Sequence, residues 1–414
     1  MLWGAFVACL IVRFCYVFYN DPLHHIFSDP GRHWINGKRF FWPHIMGSID
    51  PFVYQFWLRA LQFFDRGTGY VVLAGAGMLS AALPFLWFKA LRELLPLSWA
   101  LVAATVIGFM PSLFMIYSYF MNETLLLALL ACGFWLTLRA MRTKDWPTLL
   151  AFALVWATAG YTRIVALPLA GLCFVVLATA LPWRKTAALA AAMCVAYGVF
   201  AYPACWHSSK NLNFCAPFGS TYFNAIYRAS GAKTMKMKIL GQGDWDFSSP
   251  SMYTQPLAPL SDWHSSRAGT QVIQIDPSNG REDWETMLRA IQEYGQGLPW
   301  LDDKIENAIA LFFDPSWPDD NQMYIWGWLS YWNRWLWLPL TLAVGLWMLK
   351  ARPNPRDALL PFAGLALMAL LLLQTNAVME GRYRKPAEPL LIAGAFVLLH
   401  RLRTAPKKST PQLS

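Results

Sequence analysis

The amino-acid sequence predicts an all-α polytopic membrane protein with about ten transmembrane helices, interfacial helices in its first outer loop and one long outer loop. Three observations carry this. The 414-residue chain is 56% hydrophobic and only 14% charged, whereas a soluble protein of that length carries about a quarter charged residues. Its apolar residues come in blocks long enough to cross a bilayer. Basic residues punctuate those blocks, so the excess positive charge of +10 is spread over membrane flanks. That distribution gives no basic patch and implies no nucleic-acid partner.

The apolar blocks place spans near 1–19, 69–88, 98–118, 122–139, 147–162, 164–182, 186–204, 330–349, 358–375 and 386–400. The first has no basic leader and contains Arg13, so it reads as a retained helix and not a cleaved signal. The chain thus divides into a membrane module over 1–204, an outer loop over 205–329, and final helices with a basic tail over 330–414. With the N-terminus inside, every predicted inner connection is basic, for example Lys89 and Arg92, or Arg184 and Lys185. This satisfies the positive-inside rule. One outer turn breaks it, because Arg382, Arg384 and Lys385 lie together there.

A positive cluster on the translocated side opposes insertion, so it needs a compensating use. A lipid-linked phosphate is the natural anion at that depth, and the arginine fork suits phosphate oxygens. Anionic headgroups, or pairing with Glu380 and Glu388, are the plainer alternatives. The same outer face holds Asp29 and His33 in the first loop, Glu123 at the start of the fourth span, and Arg163 at the turn after the fifth. Each has a plain role as well: Ser28 or Asp29 before Pro30 makes a helix cap, Glu123 a first-turn acid, Arg163 a snorkelling end residue and His33 a packed histidine. Their convergence on one side of the membrane is the functional signal.

The first outer loop, 20–68, contains a predicted interfacial helix over 51–64, with Phe52, Phe56, Leu61 and Phe64 opposite Gln55, Arg59 and Gln62. The long loop contains amphipathic candidates over 282–294 and 301–313, with Trp284, Met287, Leu288 and Ile291 sharing a face of the first. Cys205 and Cys215 open that loop and form a disulfide if it faces an oxidising compartment. Metal ligation with His207 is the alternative. The sequence has no P-loop, no strand-linked GxGxxG, no HExxH helix and no internal repeat.

The outer Asp29, the acid Glu123, the basic turn followed by Leu167-Pro168, and the late run from Arg382 through Tyr383, Arg384, Lys385, Pro386, Ala387 and Glu388 to Pro389 resemble the GT-C superfamily. These are polytopic glycosyltransferases that use polyprenyl-phosphate sugars, among them protein mannosyltransferases, lipid A aminoarabinose transferases and arabinosyltransferases, the pilin arabinosyltransferases included. The resemblance covers the layout of the first 200 residues and the last 90. It implies an inverting transferase with Asp29 as base, Glu123 as second acid, His33 beside them, and Arg163, Arg382, Arg384 and Lys385 on the lipid phosphate. It further implies a periplasmic protein or glycan acceptor, a bacterial inner-membrane location and an active site on the periplasmic side. A divalent cation, magnesium or manganese, between Asp29 and Glu123 is an implied alternative, although Asp29 is followed by Pro30 where many relatives carry a second acid. A transporter or flippase for a lipid-linked anion is the competing class, with the arginines as a gate.

Overall fold

The computed structural model describes residues 1–42, 50–212, 214–218, 234–239, 243–248, 270–275, 300–313, 328–329, 332–373 and 381–404. Glu380, the amphipathic helix expected over 282–294 and the basic tail beyond 404 lie outside the described residues. The described chain is mostly helical, as expected. In order it forms α1 (Leu2–Tyr19), α2 (Ser28–Lys38), α3 (Phe52–Asp65), α4 (Tyr70–Arg92), α5 (Leu97–Phe109), α6 (Pro111–Met115) and α7 (Asn122–Thr143). Then follow α8 (Trp146–Thr162), α9 (Ala166–Ala178), α10 (Trp183–Leu212), α11 (Trp300–Phe313), α12 (Trp337–Ala351), α13 (Pro355–Leu373) and α14 (Glu388–Thr404).

Among the described residues, five helices are long and apolar enough to cross a membrane: Leu2–His24, Tyr70–Arg92, Asn122–Thr143, Trp183–Lys210 and Pro355–Leu373. A sixth candidate is the pair Leu97–Phe109 and Pro111–Ser118, bent by 68° at Met110. The bend has a local cause. Pro111 opens α6 and has no amide hydrogen to continue the ladder of α5. The chain is therefore a membrane protein. The sequence alone does not disclose this break, because the apolar pattern runs through it.

The bundle packs α4 against α1 and α7, α7 against α8, and α13 against α14. Its centre is aromatic: Trp87 stacks on Phe134 at 6.2 Å, and Phe134 meets Trp156 edge-on at 5.5 Å. Gly394 lets α14 lie directly on α13, since a Cβ there would sit 2.6 Å from Pro361 Cα. Three short strands are also present, β1 (Thr234–Ile239), β2 (Gly243–Ser248) and β3 (Thr270–Ile275), in the order β2-β1-β3. β1 pairs antiparallel with β2 and parallel with β3, Met237 facing Trp245 and Ile273. The polar, proline-rich composition of 205–329 hides this small sheet from a reading of periodicity.

Before α4 the chain turns tightly through Arg66, Gly67 and Gly69, all at positive φ, where glycine carries no Cβ penalty. Asp65 caps the turn: its carboxylate accepts from the amides of Gly69 at 2.6 Å and Val71 at 2.9 Å, and from the Thr68 hydroxyl. Burial would raise this carboxyl, but the backbone amides of Gly69, Val71 and Val72 and the Thr68 hydroxyl outweigh it and hold it below its usual range. A depressed folded-state value means the cap stabilises the fold above the unfolded carboxyl's pKa of about 4 and stops doing so as pH falls through the folded value. Asp65→Ala is expected to cost about 1 kcal/mol at neutral pH, a difference that thermal denaturation in detergent should show narrowing toward acid.

Candidate active site

Helix α2 begins at Ser28 after an extended Phe27, and no side chain caps it. Asp29 is therefore not a capping residue. It stands in the first turn, and its carboxylate is turned sideways to two guanidinium groups. Arg32, three residues on, contacts Oδ1, and Arg382 from the far end of the chain contacts Oδ2 at 2.9 Å. Helical spacing puts Asp29, Arg32, His33 and Asn36 on one face of α2.

That face closes on Asp50, a residue that reading the sequence had not singled out. Asp50 immediately precedes Pro51 and α3, and it is 4% exposed. Arg32 Nε donates to its Oδ1 at 3.1 Å, His33 Nδ1 lies 3.0 Å from the same oxygen, and Asn36 donates to Oδ2. Gln55 on α3 holds the Asp50 carbonyl at 2.8 Å. Gln55 was expected on the polar face of an interfacial helix, but it is fully buried, while Phe56 and Phe64 point outward. Of the expected apolar face, Phe56 and Phe64 are exposed while Phe52 and Leu61 pack partly against the protein, and the glutamine is spent on this site. An acid followed by proline at a helix start was the available signal for Asp50, and the stronger signal at Asp29 eclipsed it.

His33 is turned toward Asp50 and packs edge-on against Tyr54 at 5.2 Å. This is the packed position that was the plainer alternative for His33: the ring is buried and braces Asp50.

Glu123, in the first turn of α7, forms an ion pair with Arg163 at the end of α8. The Arg163 guanidinium also lies 5.0 Å from the ring of Tyr383. The Arg382 guanidinium lies 5.9 Å from that same ring. Arg382 and His33 also act electrostatically on Glu123, which joins the pair to the Asp29 and Asp50 group. The first turns of α2 and α7, the end of α8 and the turn Gly381–Arg384 thus bring Asp29, Glu123, Arg163 and Arg382 to one place.

Burial would raise the carboxyls of Asp29 and Asp50. Arg32 and Arg382, with His33, outweigh it at Asp29, and Arg32 with His33 outweighs it at Asp50, so both are held below the usual carboxylate range. Arg32, despite burial that would lower it, is pushed up by Asp29 and Asp50. Asp29, Asp50 and Glu123 face Arg32, Arg163 and Arg382. The charges of these six groups cancel.

Arg384 and Lys385, expected on the lipid phosphate, are held in other contacts and do not join this group. Both are fully buried. Arg384 donates to Glu388 at 2.9 Å and to the Leu311 carbonyl at 3.1 Å, and Lys385 donates to the Ser112 carbonyl at 2.5 Å. Ser112 in turn donates to Glu388 and accepts from Asn333 at 2.9 Å. These contacts fasten the turn Gly381–Arg384 to α6, α11 and α14. Arg382 and Tyr383, just before Arg384 in the chain, lie instead beside Asp29 and Arg163.

The three carboxylates are not a metal donor set in this arrangement. Asp29 and Asp50 each have both oxygens occupied by nitrogen donors, which leaves Glu123 Oε2 as a carboxylate oxygen without a hydrogen-bond partner among the described residues. Among the described residues no group of three or more histidine, cysteine or acidic side chains is arranged to hold a metal ion. The cation between Asp29 and Glu123 was only an implied alternative; in this arrangement the oxygens of Asp29 face arginine nitrogens, and no step below is routed through a metal. Cys205, inside α10, and Cys215 beyond it are joined in a disulfide with Cα atoms 4.6 Å apart. That occupies both thiols and removes the metal alternative with His207, whose ring stacks on Phe40 at 4.7 Å.

No protein-family model matches this chain, and no curated protein matches it.

Proposed function

We propose that this protein is an inverting membrane glycosyltransferase that moves a sugar from a polyprenyl-phosphate donor to an acceptor hydroxyl. The observation that carries the reading is the direct contact between Asp29 and Arg382, residues from opposite ends of the chain. Displacement at an anomeric carbon needs a base for the incoming hydroxyl and a cation for the leaving phosphate. The acceptor proton passes to Asp29, the acceptor oxygen bonds the anomeric carbon, and the carbon–phosphate-oxygen bond breaks with its electron pair left on the phosphate. Arg382 and Arg163 stabilise that charge, and the polyprenyl chain stays in the lipid.

In this reading the shorter helices α8, α9, α12 and α14 also cross the membrane, bringing the total to ten spans. They run side by side with the long helices. The site in this reading faces the periplasm from a bacterial inner membrane, and the Cys205–Cys215 disulfide, which suits an oxidising compartment, supports that side. The acceptor is a periplasmic protein such as pilin, or a glycan.

The transporter reading draws on the break between α5 and α6, since broken helices hold substrates at transporter midplanes. Here Arg13 fills the break, donating to the carbonyls of Gly108 and Leu113 on either side of it. A lipid donor gripped at a buried arginine should survive purification. Mass spectrometry of lipids extracted from the protein purified from its own membrane is expected to find a polyprenyl phosphate bearing a sugar. Bulk phospholipid alone, together with no binding of added polyprenyl phosphate, would refute the proposal.

A further inference from the structure

We propose that Arg382 exchanges partners between Asp29 and the donor phosphate, so that the donor itself releases the carboxylate that accepts the acceptor's proton. This rests on the transferase reading above and adds an order of events to it.

Two arginines hold Asp29, and they differ in what anchors them. Arg32 belongs to α2, as Asp29 does, and is tied through Nε to the buried Asp50 at 3.1 Å. Asp50 also holds His33 and Asn36 of the same helix. Arg32 is thus fixed to the scaffold that carries Asp29. Arg382 comes from a separate element, the turn Gly381–Arg384, which Arg384 and Lys385 fasten on its opposite side. Its guanidinium reaches Asp29 across the gap between two elements, next to the Tyr383 ring that it shares with Arg163.

Charge balance favours the exchange. Among the described residues of the site three carboxylates face three arginines, so an incoming phosphate that takes Arg382 competes with Asp29 for it. Geometry requires it. For inversion the base and the leaving phosphate lie on opposite faces of the sugar, whereas Arg382 and Asp29 touch at 2.9 Å. The sugar fits between them only after that contact opens.

The chemical consequence is useful. Burial raises the Asp29 carboxyl, but Arg32, Arg382 and His33 hold it low, so the clamped aspartate is a weak base. Transfer of Arg382 to the phosphate removes one of those charges and strengthens the base only when a donor is present. After product departs, the returning guanidinium favours the carboxylate form, and the proton leaves to solvent.

The test is a double-mutant cycle on binding of bare polyprenyl phosphate to the full-length protein. Asp29→Asn frees Arg382 and is expected to tighten binding by roughly tenfold, within the usual range of site coupling. In an Arg382→Ala background, or Arg382→Gln if alanine does not fold, the same Asp29→Asn change is expected to alter affinity by less than about twofold. Equal tightening in both backgrounds would mean that Asp29 merely repels phosphate; the exchange would then be overturned with the phosphate site intact. Unchanged affinity on losing Arg382 would overturn both the exchange and that arginine's place on the donor. Sugar transfer retained by Asp29→Asn bears on the base alone and is read separately.

Discussion

Asp29→Asn is expected to lower sugar transfer by about a thousandfold, within the 10²–10⁴ that a positioned general base contributes, while the protein still folds and binds polyprenyl phosphate. Asparagine matches the shape of aspartate but cannot take up a proton. Folding should survive because α2 is held mainly through Asp50, which keeps Arg32, His33 and Asn36 in place whatever stands at position 29. The amide oxygen can still accept from Arg32, and Arg382 keeps its place beside Tyr383. The decisive measurement is turnover with donor and acceptor saturating, set beside polyprenyl-phosphate binding for the same preparation. Transfer above a tenth of the wild-type rate would remove Asp29 from the role of base. A loss of transfer with no binding would instead point to damage at the donor site.

The largest stability effect is expected at Arg13, a cation inside the first membrane helix. Its side chain is completely buried and donates to the carbonyls of Ser80 at 2.6 Å, Gly108 at 2.5 Å and Leu113 at 2.9 Å. Its guanidinium also lies 5.5 Å from the Phe114 ring and 5.0 Å from that of Tyr117. Gly108 is in the last turn of α5, where carbonyls have no helical donor to meet them, and lipid offers none. Replacing Arg13 with methionine keeps the volume but leaves those carbonyls bare. At about 1–3 kcal/mol for each of the three orphaned carbonyls, partly offset because a buried charge is removed as well, Arg13→Met is expected to cost about 2–5 kcal/mol, more than the loss of the Asp65 cap. Arg13→Lys, which brings three donors on a single nitrogen, should fall between the two. Thermal unfolding in detergent measures all three variants, and a methionine variant as stable as the parent would show that the bend at Met110 holds without the arginine.

The sequence by itself determined the membrane class, because hydrocarbon admits only long apolar stretches and their lengths are visible without a structure. It likewise located the ends of most helices, and its charge bias grouped Asp29, Glu123, Arg163 and Arg382 at one end of them. The disulfide between Cys205 and Cys215 was legible from position, the only pair of cysteines outside the apolar blocks. What only tertiary structure decided is which charge meets which. Arg382, Arg384 and Lys385 are consecutive or nearly so in the chain, yet the turn sends Arg382 to Asp29 and commits Arg384 and Lys385 to Glu388, Leu311 and Ser112. Asp50 became the centre of the first loop only when α2 and α3 closed on it. Apolar burial is summed along the chain and so can be read from composition, whereas an ion pair depends on two residues far apart in sequence arriving within about 3 Å of each other.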